Sequence, residues 1–394
     1  MAGLNDSLSA TKPTTAQAWL VRLFPVLLFL LALGPRLVAI GRYVTPDELV
    51  WVYRSLQFRE ALLDGRWAGT LVAGHPGVTT TWLGAISLSL QVWLSPDARA
   101  AYDWLTHVAA LTPDNVEAFR RLAVLLTGGR VAVAVVNSLG VVGMYLLVRR
   151  LGARFQGPGS REEERDAEKR GEARREAEDK ISTSSSAPLL SALHVPPRSS
   201  SPGPWPLAPG PFLIGLLLAL DPFLAGHSGL FHVDGLSATF ATLALLALAC
   251  SCGTGFLSCA PRKHRIRILC YSGVLTGLAI LTKTPTLVLL PVTGLALLWA
   301  VLRERRDLTG LGRPVRSVAA TYLARGLLWA AGAVLTIVLL YPALWSDAAA
   351  VLATVGGSAN RHLDEALLDG RWAGTLVAGH PGVTTTWLLS LIHI

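Results

Sequence analysis

The stretch LAVLLTGGRVAVAVVNSLGVVGMYLL, residues 122–147, decides the fold class, because its 26 residues are almost all apolar. A helix needs about 20 mostly apolar residues to cross the hydrocarbon core of a bilayer. The whole chain follows the same pattern, since 52% of its 394 residues are hydrophobic and only 15% are charged. This composition predicts an all-α polytopic membrane protein rather than a soluble domain.

Apolar runs long enough to suggest a membrane crossing recur along the chain. They cover residues 19–40, 122–147, 210–225, 236–252, 268–281, 285–302 and 326–344. The first run begins well inside the chain and has no small-residue cleavage site after its apolar core. We therefore interpret it as a retained crossing rather than a signal peptide.

Lysine and arginine collect in three clusters, and such clusters mark the loops that stay in the cytoplasm. They follow the second, fourth and sixth crossings, and all three lie inside if the amino terminus is cytoplasmic. The apolar run Val78–Leu94 would reverse the later clusters if it crossed the membrane. It is therefore predicted to be a helix in or dipping into the outer interface. The basic residues predict topology and indicate no nucleic-acid partner.

The composition divides the chain into four parts. Residues 1–155 hold the first crossings and the long outer loop, and residues 210–364 hold the remaining crossings. Between them, residues 156–209 contain a run of seven basic and nine acidic residues and then a Ser- and Pro-rich stretch. This composition predicts a disordered cytoplasmic insertion, although a short helix with charge pairs four residues apart is an alternative.

The cysteines Cys250, Cys252, Cys259 and Cys270 lack zinc-ribbon spacing, so free thiols are predicted.

A repeat of 24 identical residues, EALLDGRWAGTLVAGHPGVTTTWL, covers residues 60–83 and 365–388. Structural repeats diverge where packing permits, and stacking needs three or more of them. The last six residues, LSLIHI, resemble the translation of a transposase end sequence used in DNA sequencing libraries. We interpret residues 365–394 as an artefactual duplicate with an adapter-like tail, and a true duplication is the alternative. Sequencing codons 355–394 from independent DNA distinguishes the two.

The first outer loop carries the most informative residues, in RYVTPDELVWVYR at residues 42–54. It places the adjacent carboxylates Asp47 and Glu48 just after a membrane helix. Pro46 favours an extended Thr45, and Thr45 or Asp47 is positioned to cap the helix that follows. One interpretation is that Asp47 only caps this helix while Glu48 is solvated. The other is that a carboxylate acts in chemistry at the membrane surface.

Other titratable groups favour the second interpretation, because they also lie in loops on the outer side. His75 lies in HPG, where the chain returns to the membrane, and DPFLAGHSGLFHVDG carries His232 and Asp234. Ionisable residues near helix ends in a membrane protein are costly to insert and are therefore candidate functional residues. Asp234 and Lys283 meet this criterion, although Lys283 also suits a lysine that snorkels to the membrane boundary.

The order of these motifs resembles the bacterial members of the dolichyl-phosphate-mannose protein mannosyltransferase family, glycosyltransferase family 39. The resemblance rests on PDE, HPG, a crossing that ends in arginines before LG, LDPFLAGHS with HVDG, and GLAILTKTP. It covers about residues 20–150 and 210–350. It implies the glycosyltransferase C fold, a polyprenyl-phosphate sugar as donor and transfer with inversion to an acceptor hydroxyl on a protein or glycan. Such a reaction requires no nucleotide-binding loop. The lipid-linked sugar donor is expected as a substrate, and neither a metal site nor a cofactor is assigned.

The resemblance also assigns roles to particular residues. Asp47 corresponds to the general base, with Glu48 as its neighbour, and two adjacent carboxylates raise each other's proton affinity. Lys283, His75 and Arg54 are the candidates for the donor phosphate, and His232 and Asp234 are supporting residues. This chain departs from the family at Gly229, where many relatives have an arginine, and at His75, where related aminoarabinose transferases have a lysine. If the tail is artefactual, the chain also lacks part of the family's acceptor region.

Two other functional classes remain open. A transporter or flippase of lipid-linked sugars would use similar crossings, but its inverted repeats and interrupted helices are not evident in the sequence. A subunit or truncated fragment without activity would tolerate replacement of both Asp47 and Glu48. Under the enzyme hypothesis, the protein is a multi-pass membrane hexosyltransferase whose active site faces the outer side.

Overall fold

The chain forms a bundle of helices. A computed structural model describes residues 15–38, 40–41, 44–72, 77–152, 209–251, 262–308 and 315–367, and every regular element in these ranges is helical. The α-helices, numbered in chain order, are α1 Thr15–Val38, α2 Pro46–Leu63, α3 Val78–Leu94, α4 Pro96–Leu105, α5 Val116–Gly152, α6 Pro209–Leu220, α7 Pro222–His227, α8 Val233–Ser251, α9 Arg262–Thr282, α10 Leu289–Leu308, α11 Val315–Leu340, α12 Ala343–Ser346 and α13 Ala348–Leu367. Short 3₁₀ helices cover Trp67–Thr70 and Thr284–Val288.

Five of these helices are long and apolar enough to cross a membrane, and they confirm the predicted membrane class. They are α5, α8, α9, α10 with the 3₁₀ turn before it, and α11. The predicted first crossing is also helical, as α1, and its apolar side chains Leu23, Val26 and Leu30 are exposed. The predicted third crossing is divided into the 12-residue α6 and the short α7.

Helix α5 is longer than the crossing predicted from its apolar run. It has 37 residues and begins at Val116, which corresponds to a length of about 55 Å at 1.5 Å per residue. The hydrocarbon core of a bilayer is only about 30 Å thick. The first turns of α5 therefore extend beyond the membrane-spanning part, where they pack against α4.

Within the described residues, the arginines in the last turn of α5 and the charges at the start of α8 lie at opposite ends of the bundle. At the arginine-bearing end, Leu147 and Leu151 of α5 pack against Cys250 of α8 and Ile268 of α9. Arg149 and Arg150 lie in the last turn of α5. At the other end, the start of α8 and the end of α9 meet through Asp234 and Lys283. We call this second end the site end.

Helix α3 covers the run that would reverse the charge pattern if it crossed the membrane. Near its start, Thr79 Oγ1 lies 2.7 Å from Thr282 Oγ1 of α9, and Trp82 Nε1 donates to the Leu340 carbonyl at 2.7 Å. Near its finish, Gln91 Nε2 donates to the Leu125 carbonyl of α5 at 3.0 Å. Both ends of α3 therefore contact the site end of the bundle. This course is consistent with the prediction that α3 adds no crossing.

Three further sequence predictions concern the cysteines, the charged insertion and the duplicate. Cys250 is disulfide-bonded, so the prediction of free thiols is wrong for this residue, whereas Cys270 is a free thiol. Zinc-ribbon spacing could not reveal this bond, because a disulfide also requires a particular geometry between its two cysteines. The charged insertion lies outside the described residues except for its last position, Pro209, where α6 begins. The duplicate is described only through Leu367, where α13 ends.

Candidate active site

The start of α2 positions the two adjacent carboxylates. Pro46 occupies the first helical turn, where its missing N–H is not needed, and Thr45 is the N-cap in an extended conformation. The backbone N–H and the hydroxyl of Thr45 both donate to Glu48 Oε2, each at 3.1 Å. Glu48 therefore reaches back to the residue before the helix, as in the glutamate half of a capping box.

Asp47 and Glu48 have different environments although they are adjacent. Asp47 is exposed, whereas Glu48 has an exposed fraction of 0%. The interpretation in which Asp47 caps the helix and Glu48 is solvated is therefore wrong in both parts, because Thr45 is the cap and Glu48 is buried. Of these two carboxylates, only that of Asp47 is exposed.

Glu48 is held by an arginine from the middle of α5. Arg130 Nε donates to Glu48 Oε1 at 2.7 Å and Arg130 Nη2 donates to Oε2 at 2.5 Å, which is the bidentate geometry of a strong pair. The backbone N–H of Phe231 also donates to Oε1, at 2.8 Å. Burial alone raises the pKa of Glu48, but the hydrogen bonds from Arg130, Phe231 and Thr45 outweigh it and hold the pKa below its usual value. The predicted mutual rise in proton affinity is therefore wrong for Glu48.

Arg130 was not among the predicted site residues. It is 2% exposed, and its Nη1 also donates to the carbonyl of Ile40, just after α1. The sequence did contain a signal, because a single arginine lies inside the apolar run of residues 122–147. An ionisable group in such a run requires a partner. The same criterion that selected Asp234 and Lys283 applies equally to Arg130.

A second group of charges links the start of α8 with the end of α9. Lys283 Nζ donates to Asp234 Oδ1, and His232 Nδ1 lies 3.3 Å from Asp234 Oδ2. The side chain of Lys283 is 39% exposed and that of His232 is 25% exposed, so both are partly accessible at the protein surface. The ammonium of Lys283 therefore has a defined partner in Asp234.

Trp51 joins the two groups of charges. Its ring lies edge-on to the His232 ring, with 6.3 Å between the centroids, and the Arg54 guanidinium lies 4.8 Å from the Trp51 ring centroid. Burial lowers the pKa of Arg54, while the negative charge of Asp47 acts in the opposite direction. A series of interactions therefore runs from Asp47 through Arg54, Trp51 and His232 to Asp234, which binds Lys283.

Gly77, just before α3, packs closely against the ring of Trp51. Its φ of +96° is a conformation that glycine adopts readily, and a Cβ atom there would lie 2.2 Å from the Trp51 ring. Its backbone N–H donates to the Leu281 carbonyl at 2.8 Å, near the end of α9. His75, the remaining candidate for the donor phosphate, lies outside the described residues, two positions before Gly77.

The turn between α7 and α8 is fixed by buried polar contacts. Arg36 of α1 is 3% exposed and its Nε donates to Ser228 Oγ at 2.8 Å. Asn137 of α5 donates to the Ser228 carbonyl at 2.9 Å and accepts from Thr239 of α8 at 2.7 Å. Gly229 also lies in this turn. It is the position at which many members of the resembled family have an arginine.

The arrangement provides an exposed carboxylate and several cationic groups at one end of a helical membrane bundle. Comparison of the chain with protein-family models, with curated proteins and with solved structures gave no match. The class of protein is therefore defined by the fold alone, as an α-helical protein with five helices of membrane-spanning length among the residues that the structure describes.

Proposed function

We propose that this protein is a membrane glycosyltransferase. In this proposal it moves a sugar, mannose or a similar hexose, from a polyprenyl-phosphate donor to an acceptor hydroxyl on the outer face of the membrane. The helices α5, α8, α9, α10 and α11 supply the membrane bundle, in keeping with the glycosyltransferase C fold that the sequence resembles.

The observation that carries the proposal is an exposed Asp47 near Arg54, with Arg54 connected through Trp51 to His232 and through Asp234 to Lys283. Asp47 and Arg54 belong to α2, His232 precedes α8, and Lys283 follows α9. Glu48 is fully occupied by Arg130, Phe231 and Thr45, so Asp47 is the carboxylate available to a substrate. Sugar transfer from a phosphate requires a base for the acceptor hydroxyl and positive groups for the leaving phosphate, and a carboxylate with nearby cations can supply both.

Each group has a role in the transfer. Asp47 accepts the proton of the acceptor hydroxyl, and the oxygen of that hydroxyl forms a bond to the anomeric carbon of the sugar. The bond between that carbon and the phosphate oxygen breaks on the opposite face, so the configuration is inverted. The electron pair of this bond remains on the polyprenyl phosphate. Lys283, Arg54 and His75 are proposed to stabilise the negative charge of the leaving phosphate, with Asp234 and His232 orienting Lys283.

The test is a product assay in proteoliposomes. Purified protein, from a gene verified across codons 355–394, is incubated with polyprenyl-phosphate mannose and acceptor glycan or peptide, and free polyprenyl phosphate and the glycosidic product are measured. We expect Asp47→Asn to lower the rate at least about 100-fold, the usual contribution of a general base. The variant should still bind the donor.

Asp97→Asn is a matched control, because Ser95-Pro96-Asp97 starts α4 as Thr45-Pro46-Asp47 starts α2, and Asp97 is also exposed. The control variant should retain the wild-type rate. Movement of the donor lipid across the vesicle membrane without any glycosidic product would instead identify a transporter and refute the proposal. Full activity of Asp47→Asn would refute the assignment of the base.

A further inference from the structure

The pair formed by Arg130 and Glu48 connects four separate parts of the chain. Arg130 belongs to α5, and Glu48 belongs to the first turn of α2. Arg130 also donates to the carbonyl of Ile40, after α1, and Glu48 accepts from the backbone N–H of Phe231, before α8. Both side chains are almost fully buried, at 2% and 0% exposure.

Glu48 and Phe231, which are joined by a hydrogen bond, are each adjacent in sequence to a proposed site residue. Glu48 follows Asp47, and Phe231 precedes His232, which in turn contacts Asp234. A shift of the pair would therefore move the proposed base and the cationic group relative to each other. Small displacements matter in such a site, because misplacing a reacting group by about 1 Å can lower a rate about 100-fold.

We propose that Arg130 and Glu48 are a positioning pair, which holds Asp47 on α2 at a fixed distance from His232 and its partners at the start of α8. This inference rests on the proposed function for its effect on the rate. The geometric part, that the pair fixes the start of α2 against the turn before α8, does not depend on any activity. Neither residue contacts the reacting atoms.

The local packing supports a fixed rather than an adjustable contact. Gly129, beside Arg130, leaves no room for a side chain, because a Cβ atom there would lie 2.8 Å from the Phe231 ring. Gly84 of α3 packs on the same ring and on Ser55 of α2, where a Cβ atom would lie 2.9 Å and 2.0 Å from the nearest atoms. Phe231 itself has an exposed fraction of 0%. The ion pair thus lies beside a rigid packing centre between α2, α3 and α5.

The test uses Arg130→Gln, Glu48→Gln and the conservative Arg130→Lys, with Arg120→Gln as the matched control on the same helix. Arg120 is 76% exposed, so its loss removes a charge without opening a buried pair. Spin labels at Val44 and His227, both exposed, report the distance between the start of α2 and the turn before α8 in a background without native cysteines. Rates and donor KM are measured on the unlabelled proteins.

We expect both glutamine variants to broaden the spin-label distance distribution and to lower kcat at least 10-fold while donor KM changes less than threefold. Arg130→Lys should recover part of both losses, and Arg120→Gln should match the wild type. An unchanged distance distribution in the folded variants would overturn the inference, and so would a broadened distribution with an unchanged kcat. If the wild type transfers no sugar, the proposed function fails. The spin-label distances then decide the geometric claim alone, since a narrow distribution in both glutamine variants would still overturn it.

Discussion

At the scale of single residues, neighbouring positions in one motif have separate tasks. Asp47 and Glu48 are adjacent, yet one is exposed and the other is enclosed by Arg130, Phe231 and Thr45. The sequence predicted the motif and its place after a membrane helix. It did not predict the difference between the two carboxylates, because that depends on Arg130, which lies 82 positions away. Such long-range pairing is set by helix packing rather than by local pattern.

Glu48 gives a prediction on the pH dependence of stability. Its folded-state pKa is lowered, so its contribution is present above the ordinary glutamate pKa of about 4.3 and is lost as the pH falls below that value. The melting temperature of the wild type in detergent should fall as the pH decreases through this window. Glu48→Gln should lack that part of the pH dependence.

At neutral pH, Glu48→Gln should also be less stable than the wild type by about 3–5 kcal/mol, since it leaves Arg130 buried without its anion. Glu117→Gln is the control, because Glu117 forms only exposed pairs with Arg120 and Arg121. Exposed pairs contribute about 0–1 kcal/mol. Equal pH profiles for wild type and Glu48→Gln would contradict the assignment.

Lys283 gives a prediction on substrate binding. If its ammonium contacts the donor phosphate, Lys283→Gln removes a charge-assisted hydrogen bond of about 1.5–3 kcal/mol. Donor KM should then rise about 10- to 100-fold, with a smaller effect on acceptor KM. Steady-state kinetics at several donor concentrations measure both values. An unchanged donor KM would show that Lys283 serves only as the partner of Asp234.

At the scale of helices, five of the seven apolar runs predicted as crossings correspond to helices of membrane-spanning length among the described residues, and the third run is divided into two shorter helices. The difference at α5, which begins at Val116, arises because its first turns carry charges and pack on α4 outside the spanning part. The contacts between helices were less predictable. The backbones of α9 and α11 approach closely at Gly273 and Gly277, where small residues four positions apart allow tight packing in membranes. This spacing is visible in the sequence, but its partner helix is not.

Gly273 gives a prediction on this helix crossing. A Cβ atom at Gly273 would lie 2.3 Å from the carbonyl oxygen of Trp329, so α9 and α11 would have to separate. Gly273→Ala should destabilise the protein by about 1–3 kcal/mol, the usual cost of overpacking. Thermal unfolding in detergent measures the effect. Gly294→Ala on α10 is the control, since no heavy atom lies within 4 Å of its added Cβ, and equal melting temperatures for the two variants would contradict this packing.

At the scale of the whole molecule, the separation of charges indicates the orientation. The arginines at the end of α5 lie at one end of the bundle, and Asp234 and Lys283 lie at the other. By the positive-inside rule, we propose that the site end faces outward. The bonded state of Cys250, at the arginine-bearing end, argues against this orientation, because disulfides are rare in the cytoplasm. Three separate basic clusters nevertheless agree on this orientation, whereas the disulfide is a single feature.

The most direct test of the central claim is the sidedness of residue 47. Asp47→Cys, in a background without native cysteines, is treated in intact cells with a membrane-impermeant maleimide. Arg267→Cys, exposed at the arginine-bearing start of α9, serves as the inside control. The proposed orientation predicts that position 47 is labelled in intact cells and that position 267 is labelled only after the membrane is permeabilised. Labelling of position 47 only after permeabilisation would contradict an active site on the outer face.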